Sequence, residues 1–191
     1  EALGPGAVLS ADPFGDIDAL EPYSYRGATP SAAGELAALS TVRGHCPRRC
    51  SYCLESWGLR RGGHGALRLH STDWMVRQVQ KFVEEDRRIV TIQDPFFIFG
   101  DEPLVELVEA LDRAGITLKE LNLFVEPGAY GARAWDALAH GPFDLVTVDL
   151  GVESGATELL RAAGRAYSNG AVLAEIEALV SRDLLPYTWW M

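Results

Sequence analysis

The sequence predicts an α/β protein whose strands form an open, partial (β/α) barrel. Three observations lead to this prediction: short apolar strand-like segments, amphipathic helices between them, and too few such pairs to close a barrel. Strands that alternate with helices over a few tens of residues are typical of a parallel sheet. About five βα units are present, whereas a closed barrel of this type has about eight.

The predicted strands are short runs of β-branched and apolar residues. Such runs suit parallel strands that are covered on both faces. We expect five of them, at residues 39–43, 89–92, 121–125, 145–150 and 185–191.

The first predicted helix has its apolar residues at the helical period. Met75, Val79 and Phe82 share one face, as expected for a helix that packs on a sheet. Ser71 or Thr72 is a suitable N-cap, because a hydroxyl oxygen can accept a hydrogen bond from the first turn.

Two later helices follow from similar signals. One begins near Pro103 and ends at Gly115, since proline suits a first turn and glycine suits a helix end. In the other, Leu173, Ile176 and Val180 recur at the helical spacing and line one side of the helix.

Composition indicates a globular protein with one sizeable core. The chain has 191 residues, 48% of them hydrophobic and 23% charged, with a net charge of −10. That charge argues against unspecific binding to nucleic acid or to an anionic membrane. No apolar run is long enough to span a bilayer. We therefore expect a cytoplasmic protein without a membrane or nucleic-acid partner.

The cysteines form one tight group. The only three, Cys46, Cys50 and Cys53, lie within eight residues of each other. An odd number at this spacing does not read as a disulfide framework. It indicates metal or redox chemistry in a reducing compartment.

The C-x3-C-x2-C spacing suits an iron–sulfur cluster. Each iron of a 4Fe–4S cluster ordinarily takes one thiolate, so three cysteines leave one iron open. An open metal position can bind a small chelating molecule. Gly44 gives the loop backbone freedom and Pro47 stiffens it.

Other uses of three cysteines remain open. A zinc site ordinarily has four ligands, so His45, His64 or His70 would have to complete it. Inert core thiols would not explain clustering in an arginine-rich loop, and a two-cluster ferredoxin needs more cysteines. We prefer the iron–sulfur interpretation to zinc, and zinc to inert thiols.

The cysteine loop, with Tyr52 just before the last cysteine, resembles the radical S-adenosylmethionine (SAM) superfamily over residues 39–191. The resemblance implies that Cys46, Cys50 and Cys53 ligate a 4Fe–4S cluster whose fourth iron binds the amino and carboxylate groups of SAM. One electron, from an external reductant, then cleaves the sulfonium to methionine and a 5′-deoxyadenosyl radical. It also implies a partial barrel, with Tyr52 near the adenine.

The second predicted strand resembles that of cobalamin-dependent members, which ends in an acidic residue. This implies that Asp94, or Gln93 beside it, contacts SAM. Residues 99–103 resemble instead a Gly-Gly-Glu motif that binds the methionine amino group in other branches. We prefer Asp94 because it directly ends the apolar run, while Asp101 and Glu102 suit the positive end of a helix.

Two further strand ends carry polar residues. Residues 148–155 resemble the fourth-strand motif of the family, which implies that Glu153 and Ser154 contact the SAM ribose or carboxylate. Carboxylates suit ribose hydroxyls because they accept two hydrogen bonds. Ser154 is also a suitable cap for a helix near Ala156. Glu126, after the third strand, faces SAM or the substrate, or is a solvated loop carboxylate.

Arginines and tryptophans give two weaker expectations. One or two arginines are expected to offset the charge of the cluster and of the SAM carboxylate, from the set Arg43, Arg48, Arg49, Arg60, Arg61 and Arg68. Trp189 and Trp190 are adjacent on a strand, so one of them should point into the barrel, toward substrate or a second cofactor.

Residues 14–23 resemble the linker between a cobalamin-binding domain and a radical SAM core. This implies a cobalamin-dependent methyltransferase that acts on an unactivated carbon of a small molecule or peptide. Residues 1–38 are then the lead-in from an upstream cobalamin domain, and residues 39–191 the N-terminal part of the core, with both chain ends read as cuts. None of the four histidines stands in an Asp-x-His-x-x-Gly cobalamin motif.

Two alternatives to this function are kept. One is a cobalamin-independent radical SAM enzyme that matures a peptide or natural product. The other is a non-catalytic domain stabilised by an iron–sulfur cluster or by zinc.

Overall fold

The structure is a computed structural model that describes residues 16–25, 35–44, 46, 48, 50–53, 67–92, 94 and 100–190. The strands in these residues are β1 (Leu36–Ala38), β2 (Val42–Arg43), β3 (Arg68–Leu69), β4 (Ile89–Ile92), β5 (Leu118–Val125), β6 (Phe143–Glu153) and β7 (Leu185–Trp190). The helices are α1 (Thr72–Glu84), α2 (Asp101–Arg113), α3 (Ala132–Ala139), α4 (Thr157–Ala162) and α5 (Asn169–Val180), with a short 3-10 turn at Ile17–Ala19. None of these helices has the length and apolar character needed to cross a membrane.

Five strands form one parallel sheet in the order β1-β4-β5-β6-β7. Since this order follows the chain, right-handed crossovers place the connecting helices on one side of the sheet. We call that side the helix face and the opposite side the open face. The described strands do not close into a barrel, which confirms the predicted open, partial (β/α) architecture.

Strand β6 shows how the two faces differ. Its helix-face side chains are buried in the core, at Val146, Val148, Leu150 and Val152. Its open-face side chains alternate with them and include Asp149 and Glu153, with Gly151 between the two. The core therefore lies between the sheet and the helices, and polar chemistry is left to the open face.

The helices begin and end where local sequence favours it. Ser71 is the N-cap of α1 and its hydroxyl accepts from Trp74 N at 3.2 Å, as predicted. Gly115 follows α2 with φ of 65°, a left-handed conformation that favours glycine. Trp74 and Phe82 on α1 are fully buried in the core.

Residues 16–25 pack along α1, whose side chains form hydrogen bonds with the backbone of this segment. Gln78 both donates to Tyr23 O and accepts from Tyr23 N, each at 2.8 Å. Trp74 Nε1 donates to Leu20 O at 2.7 Å and Lys81 Nζ to Pro22 O at 2.6 Å. Outside the turn at 17–19 this segment is irregular but fixed at its backbone.

The first predicted strand, 39–43, is wrong over most of its length, since only residues 42–43 lie in a strand. The parallel strand β1 ends at Ala38, while β2 pairs antiparallel with β3 in a separate two-stranded sheet. Asp94 explains the break, because its carboxylate accepts hydrogen bonds from the backbone N–H groups of Thr41 and Val42. The chain therefore leaves the large sheet just before the cysteine loop.

Of the three residues predicted to line α5, only Ile176 packs against the core. Leu173 and Val180 are exposed, and the buried residues are Val172, Glu175 and Leu179. Helix α5 is apolar on several sides, so the helical period alone did not identify the side that packs.

Candidate functional site

A cavity of about 600 Å³ opens at the carboxyl ends of the parallel strands. Ligands of open α/β sheets commonly bind at this edge. All three cysteines line it, together with residues at the ends of β5 and β6. A larger groove of about 730 Å³ runs beside α1 but contains no cysteine.

The cysteine loop is fixed on one wall of this cavity. It begins at Gly44, whose φ of 108° confirms the predicted need for glycine. Cys50 is buried, Cys46 and Cys53 are half-buried, and none forms a disulfide. Ser51 N donates to Ala163 O at 3.1 Å, which ties the loop to the turn after α4.

The three cysteines line one cavity, where each sulfur could bind a different iron of a cluster. Burial raises the pKa of the Cys46 thiol, and bound metal favours the thiolate.

The zinc alternative loses one of its three candidate histidines. His70 Nδ1 lies 3.0 Å from Asp18 Oδ1, and its ring stacks on Trp74 at 3.8 Å between centroids. It does not line the cysteine cavity. His45 and His64 lie outside the described residues.

Asp94 lines the cavity and also positions the chain that enters the cysteine loop. Its carboxylate accepts from Thr41 N at 2.6 Å, from Thr41 Oγ1 at 2.5 Å and from Val42 N at 3.3 Å. Burial raises the pKa of this carboxyl, while these hydrogen bonds oppose the rise. Its contact with SAM stays a prediction. Gln93 lies outside the described residues.

Tyr52, Glu153 and Arg165 form one hydrogen-bonded group. The Tyr52 hydroxyl donates to Glu153 Oε1 at 2.5 Å and accepts from Arg165 Nε at 2.9 Å. Arg165 Nη2 donates to the same Glu153 oxygen at 2.6 Å. Burial raises the pKa of Tyr52, and its bond to Glu153 adds to the rise. The group joins the cysteine loop to the end of β6.

Glu126 is buried, so the solvated-loop interpretation is wrong. Its side chain is 7% exposed, and its Oε2 atom lies 3.0 Å from Arg48 Nε and 3.8 Å from Arg165 Nη1. That oxygen has no hydrogen bond of good geometry among the described residues. A buried carboxylate of this kind has capacity to accept from a ligand in the cavity.

The end of β6 has an unusual backbone. Glu153 has φ of 62°, a left-handed conformation that costs a non-glycine residue free energy. The ladder with β7 shifts register between Gly151 and Glu153. A Cβ atom at Gly151 would lie 3.1 Å from Glu153 Oε1, so glycine leaves room for that carboxylate. Strained residues of this kind cluster at functional sites.

Three acidic or hydroxyl side chains make local contacts, and the SAM contact of Ser154 stays a prediction. Ser154 does not line the cavity, and its Oγ accepts a hydrogen bond from Ala156 N at 3.1 Å. The N-cap of α4 is Ala156, which has no side-chain capping hydrogen bond. Asp101 and Glu102 lie in the first turn of α2. Asp101 accepts from Gly131 N at 2.8 Å, and Glu102 pairs with Arg133.

Arg165 is the main residue that sequence reasoning missed. It lies in the turn after α4, where its guanidinium reaches Glu153 at the end of β6, and no motif marks it. Phe124 was also missed, although it lies on the open face of β5, two residues before Glu126. Trp189 lines the cavity, as expected for one of the two tryptophans, while Trp190 does not.

Solved structures with a similar fold include those of two proteins. One is a radical S-adenosylmethionine methyltransferase, TsrM, from Kitasatospora setae, solved with tryptophan substrate and a SAM analogue; the TM-score is 0.65 at 17% identity, over 82% of this chain and 30% of that chain. TsrM with cobalamin and a [4Fe-4S] cluster matches equally, with a TM-score of 0.65. The other is OxsB, a cobalamin-dependent S-adenosylmethionine radical enzyme with aqua-cobalamin and SAM bound, with a TM-score of 0.67 at 16% identity.

The chain spans less than a third of the length of these proteins, 30% of TsrM and 23% of OxsB. At this sequence identity the similarity supports the fold. The comparison with curated proteins gave no match. A sequence model described as the radical SAM superfamily matches residues 41–188, most of the chain. The match includes the three cysteines, Asp94 after β4, Glu126 after β5 and Glu153 at the end of β6. The chain therefore belongs to the radical SAM superfamily.

Proposed function

We propose that this radical SAM chain binds a 4Fe–4S cluster through Cys46, Cys50 and Cys53, and SAM in the adjoining cavity. The observation that carries the proposal is the shared cavity, in which three cysteines face an ionic group of Arg165, Glu126 and Glu153. Such a cluster supplies one electron, received from an external reductant, to the sulfonium of SAM.

The protein groups in the cavity match the charges of SAM. The Arg165 guanidinium suits the methionine carboxylate, because arginine binds carboxylates through paired N–H donors. Glu126 and Glu153 suit the ammonium group and the ribose hydroxyls, which donate hydrogen bonds. Tyr52 is positioned by Glu153 and Arg165 and offers its ring to the adenine.

Asp94 has a different proposed task. Both of its oxygens accept hydrogen bonds from Thr41, which precedes the cysteine loop. It therefore orients the loop as well as lining the cavity. A SAM contact of Asp94 would use the oxygen lone pairs that these hydrogen bonds leave available. The proposed SAM site does not include Ser154.

We further propose that the whole protein is a cobalamin-dependent methyltransferase acting on an unactivated carbon of a small molecule or peptide. Two considerations support this. The chain shares its fold with TsrM, a methyltransferase solved with cobalamin, and with cobalamin-dependent OxsB. Residues 14–23 also resemble the linker that precedes the radical SAM core in cobalamin-dependent members.

Anaerobic reconstitution of the purified full-length protein with iron and sulfide tests the first part. We expect an EPR signal of a reduced 4Fe–4S cluster that changes when SAM is added. With dithionite, SAM should be consumed to 5′-deoxyadenosine or S-adenosylhomocysteine. An EPR signal unchanged by SAM, together with no SAM-derived product, would contradict the proposal.

Adding or withholding cobalamin tests the second part. We expect S-adenosylhomocysteine formation to require cobalamin, with a visible absorption change on corrinoid binding. Formation of 5′-deoxyadenosine at the same rate with and without cobalamin would favour a cobalamin-independent enzyme instead.

A further inference from the structure

A connected set of polar side chains crosses the open face of the sheet, on the side of the cavity away from the cysteines. Its members lie on β4, β5, β6 and β7, in neighbouring register positions. We call it the polar network; it consists of Thr91, Glu120, Asn122, Thr147, Asp149 and Trp189.

The direction of every hydrogen bond in the polar network is fixed by its two carboxylates. Asp149 can only accept, so Asn122 presents its nitrogen to it at 2.7 Å. The amide oxygen of Asn122 then accepts from Thr91 Oγ1 at 2.7 Å. Thr147 Oγ1 accepts from Asn122 Nδ2 at 2.9 Å and donates to Glu120 Oε1 at 2.8 Å. Trp189 Nε1 donates to Asp149 Oδ1 at 2.8 Å.

This arrangement leaves the network with acceptors only. Two hydroxyl, two amide and one indole hydrogen are all donated within it. No lysine or arginine among the described residues pairs with Glu120 or Asp149. A ligand on this surface must therefore donate hydrogen bonds, and a positive charge on it would be favoured.

Aromatic rings surround the charged part of the network. Asp149 lies in register between Phe124 on β5 and Tyr187 on β7. Phe124 is 39% exposed, Tyr187 52% and Trp189 55%, so the rings are accessible. Exposed aromatic faces beside a carboxylate attract cations through the ring quadrupole. Phe124 and Trp189 also line the cysteine cavity, so the two surfaces are continuous.

We propose that the polar network is a substrate subsite that binds a protonated amine. This inference rests on the proposed function, since it takes the SAM cavity as the place of reaction. Asp149 precedes Glu153 by four residues, so the two lie at most about 13 Å apart along the strand, the length of a fully extended segment. The amine would thus be held at a distance from the SAM-binding groups, and the carbon to be modified would lie between the two.

Three probes with one ring and different head groups test the proposal by equilibrium dialysis against the reconstituted full-length protein. Phenethylamine is cationic, 2-phenylethanol is neutral and phenylacetate is anionic at neutral pH. We expect the amine to bind most tightly and phenylacetate most weakly. Asp149→Asn should weaken amine binding at least tenfold and leave 2-phenylethanol within twofold.

Two further variants keep the test decisive. Glu120→Gln removes the other charge while keeping an acceptor for Thr147, and should also weaken amine binding. Glu109→Gln removes an equal charge from α2, away from the open face, and should change nothing. Phenylacetate binding as tightly as the amine, or equal amine binding by wild type, Asp149→Asn and Glu120→Gln, would overturn the proposal.

The SAM response separates this proposal from the proposed function. We expect Asp149→Asn to keep the EPR change with SAM, because Asp149 does not line the SAM cavity. If wild-type protein binds the amine as expected but never responds to SAM, the proposed function fails and the subsite stands. If SAM is bound and cleaved but the amine is not preferred, only the subsite fails.

Discussion

The two faces of β6 differ in composition and in burial. On the helix face, Val148, Leu150 and Val152 are at most 1% exposed and pack among the helices. On the open face, Asp149 accepts a hydrogen bond from Trp189. Glu153 accepts hydrogen bonds from Tyr52 and Arg165. Core side chains and site side chains thus alternate along the strand. A register slip of one residue would move each set to the opposite face of the sheet.

The largest expected effect is on the open-face chemistry. Cys50→Ala should abolish cluster assembly, because a 4Fe–4S cluster with only two protein thiolates lacks a third anchor. Iron content and visible absorbance after reconstitution measure this. Ser51→Ala is the control and should keep the cluster, since Ser51 is tied to Ala163 through its backbone N–H. Iron retained at the wild-type level in Cys50→Ala would contradict the ligand assignment.

The next effect is on the helix face. Leu150→Ala should lower the free energy of unfolding by about 2–5 kcal/mol, because it leaves a cavity in the core. Leu159→Ala, at a position 61% exposed on α4, should change it by less than about 0.5 kcal/mol. Denaturant titration compares the two. Equal losses from both variants would mean that the helix face does not provide the stability assigned to it.

A smaller effect is expected at the ionic group. Arg165→Met removes the guanidinium between Glu126 and Glu153 and should weaken SAM binding roughly tenfold, or about 1.4 kcal/mol. Arg165→Lys should recover part of the loss, because lysine keeps the charge but not the planar fork. Arg133→Met breaks only a surface pair with Glu102 and serves as control. The same SAM affinity in Arg165→Met and Arg133→Met would remove Arg165 from the site.

The smallest effect concerns Glu175, a buried carboxylate in the helix layer. Burial raises its pKa above the usual 4.5, although Gly128 N donates to it. The folded chain therefore keeps a proton that the unfolded chain has lost, so stability falls as pH rises from 4.5 through the raised pKa. In Glu175→Gln this dependence should disappear.

Thermal unfolding at several pH values measures the Glu175 effect. The Tm of Glu175→Gln relative to wild type should increase between pH 4.5 and neutral pH. Glu177→Gln, on the exposed side of the same helix, should show no such change. A parallel change in both variants would assign the effect to net charge rather than to burial.

The helix face was predictable because burial imposes a simple pattern. Apolar runs located β4 and β6, and the helical period located α1, with Ser71 as its cap. The same rule failed at α5, where apolar residues occur on several sides and Leu173 proved exposed. Pattern identifies a buried face only where polar residues mark the opposite one.

The open face was predictable only where chemistry is local. Three cysteines within one loop indicated a metal site, and the ends of predicted strands indicated Glu126 and Glu153 as candidate site residues. Arg165 was missed because its contact with Tyr52 joins residues far apart in sequence and no local pattern marks it. The network of Asn122 and Asp149 was likewise invisible, since its bonds join residues far apart in sequence.

The bond from Ser51 N to Ala163 O has a consequence for how the site is assembled. Ala163 lies two residues before Arg165, so the loop that carries the thiols and the turn that carries the guanidinium are fastened together. Loading the metal centre should therefore order both sides at once, and apoprotein should lose protection from amide exchange in 163–165 as well as in 50–53. Cofactor insertion and maturation of the cosubstrate pocket would then be a single cooperative event.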